Sequence, residues 1–153
     1  MLDVGVAAPD FAGIDQDDSE IRLSSLRGQW VVLYFYPKDE TIGCTAEACA
    51  FRDNMESIAG LGAQVFGVSV QDPDSHRRFA EHHRLNFRLI ADADKRISKA
   101  YGVLGILGLS KRVTYLIDPE GRIRDVHRSE LNPKGHVEHT RQRLRELGAL
   151  ASA

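Results

Sequence analysis

Cysteine is scarce in this sequence: two in 153 residues, with two methionines, one tryptophan and five prolines. The shortage is no handicap, because a chain of this size buries a hydrophobic core without help from disulfides or metals. Long apolar runs are also missing. The longest, WVVLYFY ending at Tyr36 and LGILGL from Leu104, fall far short of the roughly 18 residues of a membrane span, so no membrane association is expected. The opening MLDVGVAAPDF carries aspartates where an export signal carries lysines ahead of an apolar segment, and a cytoplasmic location is expected. Basic residues are few in the first half: residues 1–75 hold 4 Lys+Arg against 13 Asp+Glu, and residues 76–153 hold 16 against 9. One interleaved core mixes both halves on its surface, and acidic residues interrupt the basic stretch, so no nucleic-acid partner is expected. With 42% apolar and 27% charged residues, the composition is that of a soluble globular protein, read as one domain over residues 1–153.

No repeat or low-complexity linker divides the chain, and turn signals fall between alternating strand and helix patterns. Val31 to Tyr36, stopped by Pro37, reads as a central strand buried on both faces. Gln64 to Val70, Phe87 to Ala91, the run from Thr114 and the run from Arg122 read as further strands. The last two are joined through Pro119-Glu120-Gly121 as a hairpin. Asp72-Pro73 opens a helix through His83, and Asn132-Pro133 opens one through Leu147, stopped by Gly148. In that last helix Val137, Thr140, Leu144 and Leu147 face inward, with Arg141, Arg143 and Arg145 on the solvated side. The pattern is an α/β sandwich on mixed strands, for which flavodoxin-like and thioredoxin-like folds are both open. Leu104, Ile106, Leu107 and Leu109, punctuated by glycines, read as an ordinary tucked loop, the alternative being an apolar lip that favours bulky substrates or mediates dimer contact.

Phe35 to Asp53, FYPKDETIGCTAEACAFRD, holds both cysteines. Cys44, Ala48, Phe51, Met55 and Ile58 step by four and three, which predicts a helix to about Ala59 with Cys44 on its inward stripe. Thr41 is the natural cap. Cys44 then lies in the first turn, where unpaired N–H groups and the positive end of the helix dipole favour a thiolate over a thiol. Cys49, taken alone, reads as a small buried hydrophobe. A zinc finger is disfavoured because no histidine spacing matches one, and the six histidines read as surface or satisfied polar residues. The pair is not the C-x-x-C of a dithiol oxidoreductase. On an ideal helix five steps give about 7.5 Å of rise and roughly 140° of rotation, placing the Cα atoms about 8 to 9 Å apart. A disulfide needs less than about 7 Å. Bonding Cys44 to Cys49 therefore requires the first turns of the helix to unwind.

These residues resemble the peroxiredoxin family, and in it the Q-type branch of bacterioferritin comigratory proteins. Pro37-x-x-x-Thr41-x-x-Cys44 is that family's active-site signature. FYPKD, CTAEACAFRD, the opening APDF, SVQDPDSHRRFAEHH, SKAYGV and SKRVTYLIDPEGRI extend the likeness over essentially the whole chain. Ile42 stands where the branch often has proline, and Val113 where Ser or Thr commonly follows the arginine. The resemblance implies a thioredoxin-like fold with a central mixed sheet flanked by helices. It also implies reduction of hydrogen peroxide and organic hydroperoxides by Cys44, which becomes a sulfenic acid. Cys49 is implied as resolving cysteine through an intramolecular disulfide, and thioredoxin or a similar dithiol as reductant. Arg112 maps onto the active-site arginine, and Thr41 and Pro37 onto the pocket. Glu47, one turn beyond Cys44, is expected either to orient Arg112 or to be a solvated helix charge. No cofactor and no metal are implied, and Q-type relatives are often monomers, so a monomer is expected. The alternatives are a general thiol–disulfide oxidoreductase and a redox-sensing protein that uses the same helix as a switch.

Overall fold

Alternation along one strand sets the whole architecture. In β3 (Trp30–Phe35) the residues at 30, 32 and 34 point into one apolar layer and those at 31, 33 and 35 into another. A strand apolar on both faces must lie in the middle of a sheet covered on both sides. The computed structural model describes residues 1–152, and β3 is the fifth of seven strands ordered β2-β1-β5-β4-β3-β6-β7. The others are β1 (Ala12–Ile14), β2 (Glu20–Arg22), β4 (Ala63–Ser69), β5 (Arg88–Ala91), β6 (Val113–Ile117) and β7 (Ile123–Arg128). β3 pairs parallel with β4, and β4 with β5. The pairings β1 with β2, β1 with β5, β3 with β6, and β6 with β7 are antiparallel. Those antiparallel pairings exclude the all-parallel flavodoxin-like alternative, and the fold is the thioredoxin-like sandwich.

One face carries α1 (Ile42–Asp53), α2 (Met55–Gly60), α3 (Pro73–His82) and α5 (Gly135–Ser152), whose Ala48, Phe51, Ile58, Phe79, Val137 and Leu144 share a core with Val32 and Tyr34. The other face is covered by α4 (Arg96–Ala100) and by the N-terminal segment, through Ala8, Ile97, Tyr101 and Val103. The predicted hairpin closes through Asp118 and Arg122, with Gly121 at φ 86, a conformation glycine adopts at no steric cost. Among the described residues no helix is long and apolar enough to cross a membrane.

Four sequence expectations need correcting. The helix predicted to run to Ala59 is two helices, parted at Asn54 (φ −111, ψ 7), whose side-chain amide donates to the Ala50 carbonyl. Ser, Asp and Asn side chains offer the backbone such local alternatives to helical bonds. The last helix starts at Gly135 rather than at Pro133, because residues 135–137 bond three residues back in a tighter turn first. Gly148 lies inside that helix; an interior glycine costs only about 0.5–1 kcal/mol relative to alanine, too little to end it. The 104–109 loop is not tucked: Ile106 and Leu107 are fully exposed at the tip of a turn closed by Gly105 N–H to the Leu109 carbonyl.

Candidate active site

Pairing register brings the site together. In the β3–β6 ladder Phe35 faces Val113, so the loop leaving β3 and the residue entering β6 lie at the same end of the sheet. Cys44 rides on the first, Arg112 on the second. After β3 the chain passes Pro37 and turns into α1, capped by Thr41, whose Oγ1 accepts from the Cys44 N–H at 3.4 Å and donates to the Lys38 carbonyl at 3.1 Å. Thr41 is therefore both cap and loop brace, and its hydroxyl proton is committed to Lys38. Cys44, the third residue of the helix, is buried.

The Arg112 guanidinium spans two acids with its two ends. Nη2 donates to Cys44 Sγ at 3.4 Å and Nη1 donates to Glu47 Oε1 at 2.7 Å. The backbone N–H of Arg112 is held in turn by Glu130 Oε1 at 3.1 Å. A Cβ at Gly43 would sit 3.1 Å from Nη2, so the bare glycine lets the guanidinium lie against the first turn of α1. Glu47 is fully buried, which settles the alternative left open above: it is no solvated helix charge. Burial pushes its carboxyl up to about 8, against the pull of Arg112. Burial works against the Arg112 charge, but Glu47 and Cys44 outweigh it and hold the guanidinium above its ordinary range. Burial and Arg112 thus act on the Glu47 proton in opposite directions, and the buried Arg112 guanidinium faces the sulfur.

Two buried histidines brace this end of the sheet, and neither role was legible from spacing. His136, at the start of α5, faces the Thr114 hydroxyl through Nδ1 at 2.8 Å and the Ser129 carbonyl through Nε2 at 2.9 Å. The carbonyl can only accept, so the proton is on Nε2 and Nδ1 accepts from Thr114. Burial lowers this ring to about 4. His76, on α3, faces Asp39 Oδ2 at 2.7 Å and the Ile90 carbonyl at 3.0 Å. Asp39 also accepts from Tyr36 and Ser75, at 2.6 and 2.7 Å. Burial alone would raise the Asp39 carboxyl, but the hydrogen bonds and charge of His76, with Tyr36 and Ser75, hold it below its usual range. Asp39 thereby ties the loop before Cys44 to α3. A sign of it in the sequence was an acid beside Pro37, inside a motif that gave no partner.

The remaining sequence candidates divide. Pro37 lines a hollow of about 420 Å³ with Gly105, Ile106, Leu107, Leu109 and Glu130. Cys49 lies on α1 beyond Cys44, half-buried, and both thiols are free. The helix is wound through both positions, so the two sulfurs are not arranged for a bond in this state.

A cysteine at a helix start on a thioredoxin-like sheet, with an arginine donating to its sulfur, is the arrangement of a thiol enzyme. The comparisons narrow it. The model of the AhpC/TSA family matches residues 4–126. A chloroplastic peroxiredoxin Q of Populus jackii is 42% identical over 94% of this chain and 68% of its own length, and that of Gentiana triflora 40% over 89% and 64%. The chain thus spans about two thirds of the length of these plant relatives. Among solved structures, peroxidoxin BcpB of Mycobacterium tuberculosis superposes with a TM-score of 0.89 at 36% identity, covering 95% of this chain and 98% of that one. A bacterioferritin comigratory protein of Xanthomonas campestris, described for its alkyl peroxide reduction, gives 0.88 at 27% identity, with 95% and 99% covered. The chain belongs to the AhpC/TSA family, the peroxiredoxins, and is a thiol-dependent peroxidase.

Proposed function

We propose that Cys44 is the peroxidatic thiol, that Cys49 resolves it, and that Arg112, Thr41 and Pro37 shape the pocket in which the oxygen–oxygen bond is cut. The observation that carries this is the Arg112 Nη2 to Cys44 Sγ hydrogen bond at 3.4 Å, made at the first turn of α1. The Cys44 thiolate attacks one peroxide oxygen; the S–O bond forms, the O–O bond breaks, and water or an alcohol leaves after taking a proton. Cys49 sulfur then displaces water from the Cys44 sulfenic acid and closes a disulfide. A dithiol of the thioredoxin type reopens it, which restores both thiols. A reducing compartment such as the cytoplasm suits a pair of cysteines that must return to the thiol state.

Ionisation alone is too small a contribution. A free cysteine is about 3% thiolate at pH 7, so full ionisation adds roughly thirtyfold, about 2 kcal/mol. The larger part must come from donors aimed at charge that develops on the leaving oxygen. Arg112 suits this because its planar fork serves Glu47 and the sulfur at once and never loses its charge. Glu47 positions that fork. Organic hydroperoxides fit the substrate side, since the hollow beside Pro37 is rimmed by exposed Ile106 and Leu107, with Ile42 and Leu131 also exposed. The test is stopped-flow oxidation by hydrogen peroxide and cumene hydroperoxide, followed by turnover with thioredoxin. Cys44→Ser should abolish both. Cys49→Ser should consume one peroxide per chain and lose thioredoxin turnover; an unchanged steady-state rate in that variant would refute Cys49 as resolver.

A further inference from the structure

The left-handed backbone of Glu40 (φ 65) is unusual for a residue with a long side chain, and such strain persists where the surroundings over-determine it. Its carboxylate meets two adjacent histidines 42 and 43 positions along the chain. His82 Nδ1 lies 2.7 Å from Oε2 and His83 Nε2 lies 2.5 Å from Oε1. Burial alone would raise the Glu40 carboxyl, but the two imidazoles hold it below its usual range. Among the described residues this is the group whose three ligand atoms, one from each side chain, lie within 4.8 Å of one another. The two rings are 4.1 Å apart, and the His83 ring stands edge-on to Phe79 at 5.2 Å. Both histidines close α3, His82 as its last residue and His83 as its cap, where the negative end of the helix dipole favours a cation.

We propose that Glu40, His82 and His83 bind one divalent transition-metal ion, for which zinc suits the donors, and that the bound ion clamps the loop before Cys44 to the end of α3. Two imidazole nitrogens and one carboxylate oxygen form a three-ligand set that leaves a fourth position for water. Zinc ligands at about 2.1 Å in a tetrahedron lie roughly 3.4 Å apart, so the carboxylate–imidazole contacts of 2.5–3.1 Å must open by less than about 1 Å and the two nitrogens, within 4.8 Å of each other, close by no more than about 1.4 Å. Glu40 and His82 are exposed enough to move. The proton on each facing nitrogen passes to the other ring nitrogen or to solvent, and the metal takes its place. Glu40 immediately precedes the Thr41 cap of α1. A clamp there favours the wound helix, in which Cys44 and Cys49 are apart. Zinc therefore slows disulfide closure while leaving the first attack on peroxide intact. This second part rests on the peroxidase reading above; the binding site does not.

The site is tested on the Cys44→Ser/Cys49→Ser variant, which offers zinc no thiol. Calorimetry with zinc chloride should give one ion per chain, with affinity reduced at least tenfold by His82→Asn and by Glu40→Gln. Zinc binding that these changes leave intact, or no binding at submillimolar zinc, overturns the site. Circular dichroism checks that the variants are folded. The clamp is tested on the reduced wild-type chain in stopped flow: zinc at saturation should slow disulfide formation tenfold or more, leave the sulfenic-acid step within twofold, and do neither in His82→Asn. Equal slowing in His82→Asn places the effect on the thiols and overturns the clamp. Failure of zinc-free Cys44 to react with peroxide overturns the peroxidase reading and the clamp with it, while the calorimetry still decides the site.

Discussion

Replacing Arg112 by lysine separates charge from geometry at this site. The guanidinium reaches Cys44 Sγ and Glu47 Oε1 with different nitrogens, at 3.4 and 2.7 Å. A lysine ammonium is a single point and serves one of them. If it follows the shorter bond to Glu47, the cation withdraws from the sulfur to about 6 Å. With an effective dielectric of about 20, a charge pair at 3.4 Å is worth roughly 5 kcal/mol and at 6 Å roughly 3, a loss of about 2 kcal/mol. That is about thirtyfold in rate. Arg112→Ala removes the cation altogether and should cost about 2–4 kcal/mol, the range seen when one key donor to developing charge is lost. The assay is the second-order rate of sulfur oxidation by hydrogen peroxide in a Cys49→Ser background, which isolates the first step. Glu47→Gln is the companion, because its amide oxygen still accepts from Nη1; it should stay within about fivefold of its parent. A loss below threefold in Arg112→Lys would refute the assignment of the fork to the reacting sulfur.

Gly43→Ala should act in two directions. Alanine favours the helix by up to about 1 kcal/mol, yet its Cβ would stand 3.1 Å from Arg112 Nη2, so peroxide oxidation should slow by about tenfold as the guanidinium shifts; an unchanged rate would show that the close approach is not needed. His136 is lowered to about 4 from an ordinary 6.5. The folded form thus refuses a proton that the unfolded chain takes up, and stability falls as pH drops through 6.5 toward 4, by about 3 kcal/mol in all. Urea unfolding at pH 7 and pH 4.5 should show this slope reduced in His136→Gln, and identical slopes would discount the ring. Oxidation to the disulfide should strip amide-exchange protection from residues 42–49; equal protection in the dithiol and disulfide forms would reject unwinding.

Much of the fold could be read from pattern because the period-2 and period-3.6 signals were clean. β3 is apolar at every position, Asp72 caps α3 by accepting from the Ser75 N–H at 2.8 Å, and the stripe on α5 is buried as predicted. What failed were helix ends, where a local bond from one side chain, as at Asn54, outweighs periodicity. At the site, Thr41 and Cys44 are close in sequence, so their relation could be argued from helix geometry alone. Arg112 lies 68 positions from Cys44, and only the family resemblance pointed to it; the β3–β6 register supplies the physical reason. Asp39, His76, Thr114 and His136 were out of reach, since each meets its partner through a strand pairing or helix packing that leaves no mark on local spacing.

The arrangement also explains how one short segment serves two opposing needs. On the proposed assignment, attack on peroxide requires Cys44 held at a helix start under a fixed cation, whereas resolution by Cys49 requires the same turns to open. The bracing is therefore placed outside the turns that open: Asp39 is locked to α3 through His76 and Ser75, and Arg112 to Glu130 through its backbone. Between these anchors, α1 from Ile42 to Cys49 is held by the burial of Cys44 and Ala48, a 3.4 Å cap at Thr41 and the Arg112 bridge to Glu47. Burial raises the Glu47 carboxyl against the pull of Arg112, so desolvation of the pair offsets much of what the bridge contributes. On the same assignment, oxidation of Cys44 alters the sulfur acceptor that Arg112 Nη2 meets at 3.4 Å. Oxidation itself thus changes one of the contacts that kept the helix wound.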